Sequence, residues 1–200
     1  MASTIKCCIS NYGCGSALLI PRSLLRGSSF SNADVSIFMD YCVYSHPNKS
    51  QNQIEQFTKT RRDLNTLENK VLSGMRNDTY SIFQAIDKEE GVGIQLWDIL
   101  RESSIFVCDI NMSNTIITGS LVGCRVLCMS DINIISGTGF LFADELVFEK
   151  TLKNVYRYFA KVKIQNIGDA SPYQISKFES IIISTCLKEG LGDMVEYDEI

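Results

Sequence analysis

The sequence predicts an α+β fold with a helical N-terminal portion, a five-stranded small antiparallel barrel or curled sheet, and C-terminal helices. Three observations support this prediction. Apolar residues recur at helical spacing between residues 31 and 77, five short β-rich runs follow between 78 and 140, and the helical period returns from 141 to 200. Residues 1–30 are expected to form an N-terminal arm, and the whole chain has the length of one ordinary domain.

The helical unit contains three predicted helices. The first has apolar residues at Val35, Phe38, Met39, Cys42 and Val43, begins near Ser31 or Asn32, and ends before Pro47. A shorter helix is expected from Gln51 to Thr60. The third begins at a capping-box pattern, Asn65 followed by Glu68, and its apolar stripe is formed by Leu67, Val71, Leu72 and Met75.

The strand region changes to the short, β-branched runs typical of an antiparallel meander. Turns are expected at residues 89–91, at 101–103 and at 131–133, with a polar loop over 111–119. The predicted strands are YSIFQAID, VGIQLWDIL, SIFVCDI, SLVGCRVLCMS and IISG. Closing such a meander into a barrel would remove its exposed edges.

Two helices are predicted after the strands. The first runs from about Asp144 to Lys161, in the helical register of Leu146, Val147, Leu152, Val155, Tyr156 and Phe159. A break containing Gly168 and Pro172 follows. The last helix covers YQISKFESIIISTCLKEG and is ended by its final glycine.

Composition favours a cytoplasmic protein without a membrane segment. The formal net charge is −4 and no apolar run reaches the length of a membrane helix, while the N-terminus is a poor signal peptide. The acidic balance disfavours a protein built mainly to bind nucleic acid. Two cationic runs are interpreted as solvated helix faces: Lys59, Arg61 and Arg62, and then Lys150, Lys153, Arg157, Lys161 and Lys163.

The cysteines offer one possible metal site. Cys7, Cys8 and Cys14 cluster near the N-terminus, but a structural zinc needs four ligands, so His46 or Cys42 would have to complete the set. The alternative is a group of unpaired thiols. Cys42 and His46 could also form a nucleophilic pair, although Cys42 completes an apolar stripe and is interpreted as core. The expectation is therefore that there is no cofactor, with zinc as the alternative.

The strand meander supplies the candidate binding residues. Phe83, Trp97 and Phe106 lie one per strand, and an exposed cluster of the three would make a stacking platform for single-stranded nucleic acid. Arg101 is one of only a few cations near them. Strand alternation places Asp98 on the same face as Ile94 and Leu96, where it is expected to accept hydrogen bonds from turn amides.

The motif order resembles a group of uncharacterised bacterial proteins that share a helical segment followed by a small β-barrel. The resemblance covers roughly residues 35–145. It rests on FMDY at 38–41, SIF at 81–83, GIQLWDIL at 93–100, GSLV at 119–122 and ISG at 135–137. Many of those proteins carry a short zinc-binding SEC-C module that this sequence lacks. The resemblance therefore implies the fold and leaves the activity open.

The sequence thus favours a non-enzymatic binding or adaptor protein that presents a barrel-and-helix surface to a macromolecular partner, most naturally another protein. Two alternatives stay open. One is a small-barrel protein associated with nucleic acid. The other is a metal protein or enzyme that uses the N-terminal cysteines.

Overall fold

The computed structural model describes residues 32–45, 51–61 and 63–191, and it confirms the α+β fold. Helices and a five-stranded antiparallel sheet alternate along the chain much as the sequence predicts. The elements are α1 (Asn32–Tyr44), α2 (Gln53–Thr60), α3 (Thr66–Arg76), β1 (Asp78–Glu89), β2 (Gly93–Asp98), β3 (Ser103–Cys108), α4 (Ile110–Thr115), β4 (Leu121–Cys128), β5 (Asn133–Leu141), α5 (Glu145–Val162), a 3₁₀ turn (Ile167–Asp169) and α6 (Pro172–Lys188).

The sheet has the strand order β3-β2-β1-β4-β5, with every neighbouring pair antiparallel. The long strand β1 is at its centre and carries a bulge between Ala85 and Asp87. The two edge strands approach each other, and the Asn133 side chain donates a hydrogen bond to the Phe106 carbonyl oxygen at 2.9 Å. No backbone ladder joins these edges in the described sheet, so it is curled rather than closed into a barrel.

The two faces of the sheet bury different apolar clusters. The inside of the curl is filled by side chains from β1 to β4, among them Phe83, Leu96 and Val126. The outer face of β1 and β5 packs under the helices α1, α5 and α6, where Phe178 and Ile182 are fully buried. Strand alternation produces this division, because successive side chains of β1 point to opposite faces.

Helix boundaries follow local capping chemistry. Asn65 and Glu68 form the predicted capping box at the start of α3, and Asp144 caps α5. The sequence predicts Pro172 within a break, whereas in the structure Pro172 occupies the first turn of α6 after the Ser171 cap, where a proline loses no hydrogen bond.

One helix was absent from the sequence prediction. Residues 111–119 were expected to be a polar loop, but Ile110–Thr115 form α4. The Asp109 side chain accepts a hydrogen bond from the Met112 amide at 2.9 Å and starts the helix. Asparagine, serine and threonine have low helix propensity, so the sequence pattern gave no periodic signal there.

None of the helices in the described part of the chain is long and apolar enough to cross a lipid bilayer. The five cysteines within the described ranges, Cys42, Cys108, Cys124, Cys128 and Cys186, form no disulfide. Cys124 and Cys186 are buried, as expected for cysteine acting as a small apolar side chain.

Candidate functional site

The three strand aromatics do not form one platform. Phe83 is 1% exposed inside the curl, whereas Trp97 pairs with Gln84 on the opposite face and is 37% exposed. Phe106 lies on the same outer face as Trp97, since it pairs with Gln95, and its ring covers Gly93. The stacking surface expected from the sequence is therefore reduced to Trp97 and part of Phe106.

Asp98 holds the turn between β2 and β3. It is 2% exposed, and its Oδ1 accepts hydrogen bonds from the Ser81 hydroxyl at 2.5 Å and from the amides of Leu100 and Arg101 at 3.0 Å. Its Oδ2 lies 3.0 Å from the Arg101 guanidinium, which also donates to the Tyr80 carbonyl oxygen. These contacts describe a buried carboxylate that orders a turn, and they use the hydrogen-bonding capacity that a binding role would need.

The N-terminal cysteine cluster Cys7, Cys8 and Cys14 lies outside the described residues, as does His46. Within the described ranges no group of three or more histidine, cysteine or acidic side chains is arranged to hold a metal ion.

Arg125 on β4 is the centre of a buried charged cluster that joins four elements. The guanidinium is 1% exposed, and its Nε donates to Asp40 of α1 at 2.8 Å. One terminal nitrogen bonds Asp78 at the start of β1. The other donates to Ser45 after α1 and lies 3.4 Å from Glu179 of α6. One cation thus faces three carboxylates inside the protein.

The surroundings of Arg125 shift the acidity of the cluster. Its guanidinium carbon lies 4.8 Å from the centre of the Tyr44 ring and 5.1 Å from that of Tyr80, close enough for cation–π attraction. Burial raises the pKa of Glu179 and of Asp78 above their usual values, although Arg125 acts in the opposite direction. Burial acts to lower the pKa of Arg125, but the three carboxylates act more strongly in the opposite direction. The pKa of Arg125 is therefore raised above its usual value.

This cluster links the helices α1 and α6 to the sheet. Its most accessible carboxylate, Asp78, has only 14% of its side chain exposed, so a substrate would have little access. Asp40 and Ser45 hold α1 against β4, and the chain continues from there towards α2.

The helices α2 and α3 form a solvent-exposed apolar groove of about 770 Å³. Three apolar side chains on its walls are strongly exposed: Phe57 at 44%, Leu67 at 68% and Val71 at 43%. The groove is lined by Gln53, Ile54, Gln56, Phe57, Thr60, Leu64, Leu67, Glu68, Val71, Leu72 and Met75. Its size falls within the range of small ligand and peptide-anchor sites.

Contacts with the rest of the fold hold both groove helices. The Asn52 side chain caps α2 and donates to the Tyr44 carbonyl oxygen at 2.7 Å, which connects α2 to α1. Gly74 lets α3 approach Met129, because a Cβ at this position would lie 2.3 Å from the Met129 side chain. Lys70 on α3 also pairs with Asp131 at 2.5 Å. Both walls of the groove are therefore held in place by contacts with the rest of the fold.

Only one wall of the groove could be predicted from the sequence. The stripe of Leu67, Val71, Leu72 and Met75 was recognised as apolar, but a stripe by itself cannot show whether a neighbour covers it. Phe57, on the other wall of the groove, lies in the predicted second helix, but its 44% exposure is visible only in the structure. Arg125 was also missed as a central residue, although an arginine within the apolar strand LVGCRVLC is an unusual choice.

Comparison with known protein families matches residues 29–179 to a family of unknown function (DUF7986). The chain belongs to the DUF7986 family. No curated protein and no solved structure matches the chain significantly.

The DUF7986 match extends from just before α1 into α6. It includes both groove helices and all four charged residues of the Arg125 cluster, from Asp40 to Glu179. Membership of DUF7986 agrees with the expectation of an uncharacterised family, and it assigns no activity.

Proposed function

We propose that this protein is a non-enzymatic binding or adaptor protein, and that the groove between α2 and α3 receives an amphipathic helix of a partner protein. The observation that carries the proposal is the exposure of Phe57, Leu67 and Val71 along one groove. Clustered exposed apolar side chains on a folded protein mark interaction sites.

The geometry favours a helix as the bound segment. Leu67 and Val71 are four residues apart on α3, so they present adjacent points along one helix face. Phe57 faces them from α2, and the Arg61 guanidinium lies 5.8 Å from the centre of its ring. An incoming helix with apolar residues at positions i, i+3 or i+4, and i+7 would fill this groove.

Charged side chains beside the groove favour a partner helix with complementary charges. Glu68 lines it from α3, whereas Arg61 covers one side of Phe57 on α2. A partner helix with a basic residue near Glu68 and an acidic residue near Arg61 would complement both walls. Such rim charges select the partner and its orientation more than they strengthen binding.

Co-purification with full-length protein tests the proposal. The groove variant Phe57→Asp/Val71→Asp is compared with Ile117→Asp/Leu146→Asp, which changes two apolar residues that are 76% and 73% exposed elsewhere. A partner in the groove should be lost from the first variant and kept by the second. Replacing one of these apolar groove residues by alanine is expected to weaken the binding of a partner peptide, measured by calorimetry, by about 2 kcal/mol. Equal recovery by both variants would reject the groove as the binding site.

Three finer statements stay part of this proposal: a cytoplasmic location, a bacterial source, and kinship with proteins that carry the SEC-C module. The motif order supports the bacterial source and the kinship, and the cysteines of the described ranges, which form no disulfide, favour a reducing compartment.

A further inference from the structure

Four cations form one row along the solvent side of α5. Lys150, Lys153, Arg157 and Lys161 are all exposed and are separated by three, four and four residues. In a helix this spacing places them on one face, about 4.5, 6 and 6 Å apart along the axis. The sequence predicted these cations to lie on a solvated helix face, and the register of α5 places four of them in one row.

The row is well separated from the packed side of α5. The buried residues Val147, Thr151, Val155 and Phe159 occupy the opposite part of the helix surface. Lys163, the fifth cation of the run, has left the helix and adopts the left-handed conformation at its C-cap. The row is therefore a surface feature whose geometry is fixed by core packing.

Three of the four cations in this row form no ion pair among the described residues, although Glu149 precedes Lys153 by four residues on α5. Among the ion pairs of the described residues, only Lys150 in the row has a carboxylate partner, Glu189. The helix register places Glu149 and Glu145 to one side of the row. The whole chain carries a net charge of −4, so the row concentrates positive charge on an acidic protein.

An aromatic ring lies beside the cations. Tyr156 is 51% exposed, follows Lys153 by three residues and directly precedes Arg157. Its ring meets Phe159 edge-on, with 6.3 Å between the centroids. Proteins bind single-stranded nucleic acids with two elements, a track of cations for the phosphates and exposed aromatic rings for the bases. The α5 row and Tyr156 supply both.

We propose that the α5 row binds single-stranded nucleic acid, with phosphates against the cations and one base stacked on Tyr156. The axial spacing of the cations suits successive phosphates of an extended strand. A lipid surface fits less well, because most large apolar side chains of α5 pack against the core and only Leu146 and Tyr156 are strongly exposed. This site is separate from the α2–α3 groove and does not depend on it.

Fluorescence anisotropy of full-length protein with a labelled oligothymidylate or oligouridylate of about 12 nucleotides tests the proposal. We expect Lys153→Glu/Arg157→Glu to weaken binding at least tenfold. The slope of log affinity against log salt for the unaltered protein should be about −2 to −3, which corresponds to three or four phosphate contacts. Tyr156→Ala should weaken binding by about tenfold while leaving the salt slope unchanged.

The matched control is Lys59→Glu/Arg76→Glu, which makes the same change in net charge on α2 and α3. Circular dichroism should show that each variant keeps its helix content. Equal weakening by the control pair would reduce the effect to net charge and overturn the site. Three further results would overturn it: no oligonucleotide binding at about 50 mM salt, displacement of the oligonucleotide by polyglutamate as efficiently as by unlabelled oligonucleotide, or binding to phosphatidylserine vesicles that is stronger than binding to the oligonucleotide.

Discussion

Replacing Arg125 by methionine should strongly destabilise the protein. The change keeps a long side chain but removes the one cation that, among the described residues, faces Asp40, Asp78 and Glu179, each of which is largely buried. Removing one partner of a buried ion pair typically costs about 3–5 kcal/mol, because the remaining charges stay desolvated. That loss is a large part of the roughly 5–15 kcal/mol that stabilises a domain.

The effect should depend on pH with a definite sign. Burial already raises the pKa of Glu179 and of Asp78 in the unaltered protein, and loss of Arg125 removes the influence that opposes this rise. A raised carboxyl pKa contributes stability that is present below the unfolded pKa and is lost as pH rises through the folded pKa. The Arg125→Met variant should therefore recover part of its stability between neutral pH and about pH 4.5.

Urea unfolding followed by fluorescence of the single tryptophan, Trp97, measures the effect. With a slope of about 2–3 kcal/mol per molar urea, the midpoint should fall by about 1–2.5 M at neutral pH. Arg61→Met, which changes an exposed arginine, should move the midpoint by less than about 0.3 M, because surface changes rarely exceed 0.5 kcal/mol. An Arg125→Met midpoint as high as that of this control would refute the reasoning, as would a larger loss in acid.

Other substitutions test individual contacts. Asp98→Asn should lower the free energy of unfolding by about 1–3 kcal/mol, since a buried carboxylate with several donors is replaced, and an unchanged urea midpoint would exclude this. Asn133→Ala should cost about 1 kcal/mol by removing the bond to Phe106 across the open side of the sheet, and it should increase amide exchange in β3 and β5. Burial raises the pKa of the Cys124 and Cys186 thiols to about 12, so iodoacetamide at mildly alkaline pH should label them only after unfolding; modification in the native protein would contradict their burial.

Local chemistry made much of the fold predictable from sequence. The capping box of Asn65 with Glu68 and the helix stop at Gly190, which has a φ of 76°, depend on residues close in the chain. Strand alternation likewise placed Asp98 on the buried face with Ile94 and Leu96. These features need no knowledge of distant contacts, and the structure confirms them.

Long-range contacts explain what the sequence could not show. Arg125 meets Asp40 and Glu179, which are 85 and 54 residues away, so no local pattern relates them. The alternation of β1 put Phe83 inside the curl, but whether Trp97 on the other face would be covered depended on where the helices pack. The groove is a similar case, because Leu67 and Val71 look like core residues until their neighbours are known.

The most direct test of the central claim is site-specific crosslinking in the groove. A photoreactive amino acid at Leu67 of the full-length protein, expressed in its native cells, should form an adduct with a partner protein. Mass spectrometry should place that adduct on a segment with apolar residues at i, i+3 or i+4, and i+7. The same amino acid at Leu146, which is equally exposed, is the control. Adducts at Leu67 that are no more frequent than at Leu146, or that survive Phe57→Asp, would contradict the proposed function.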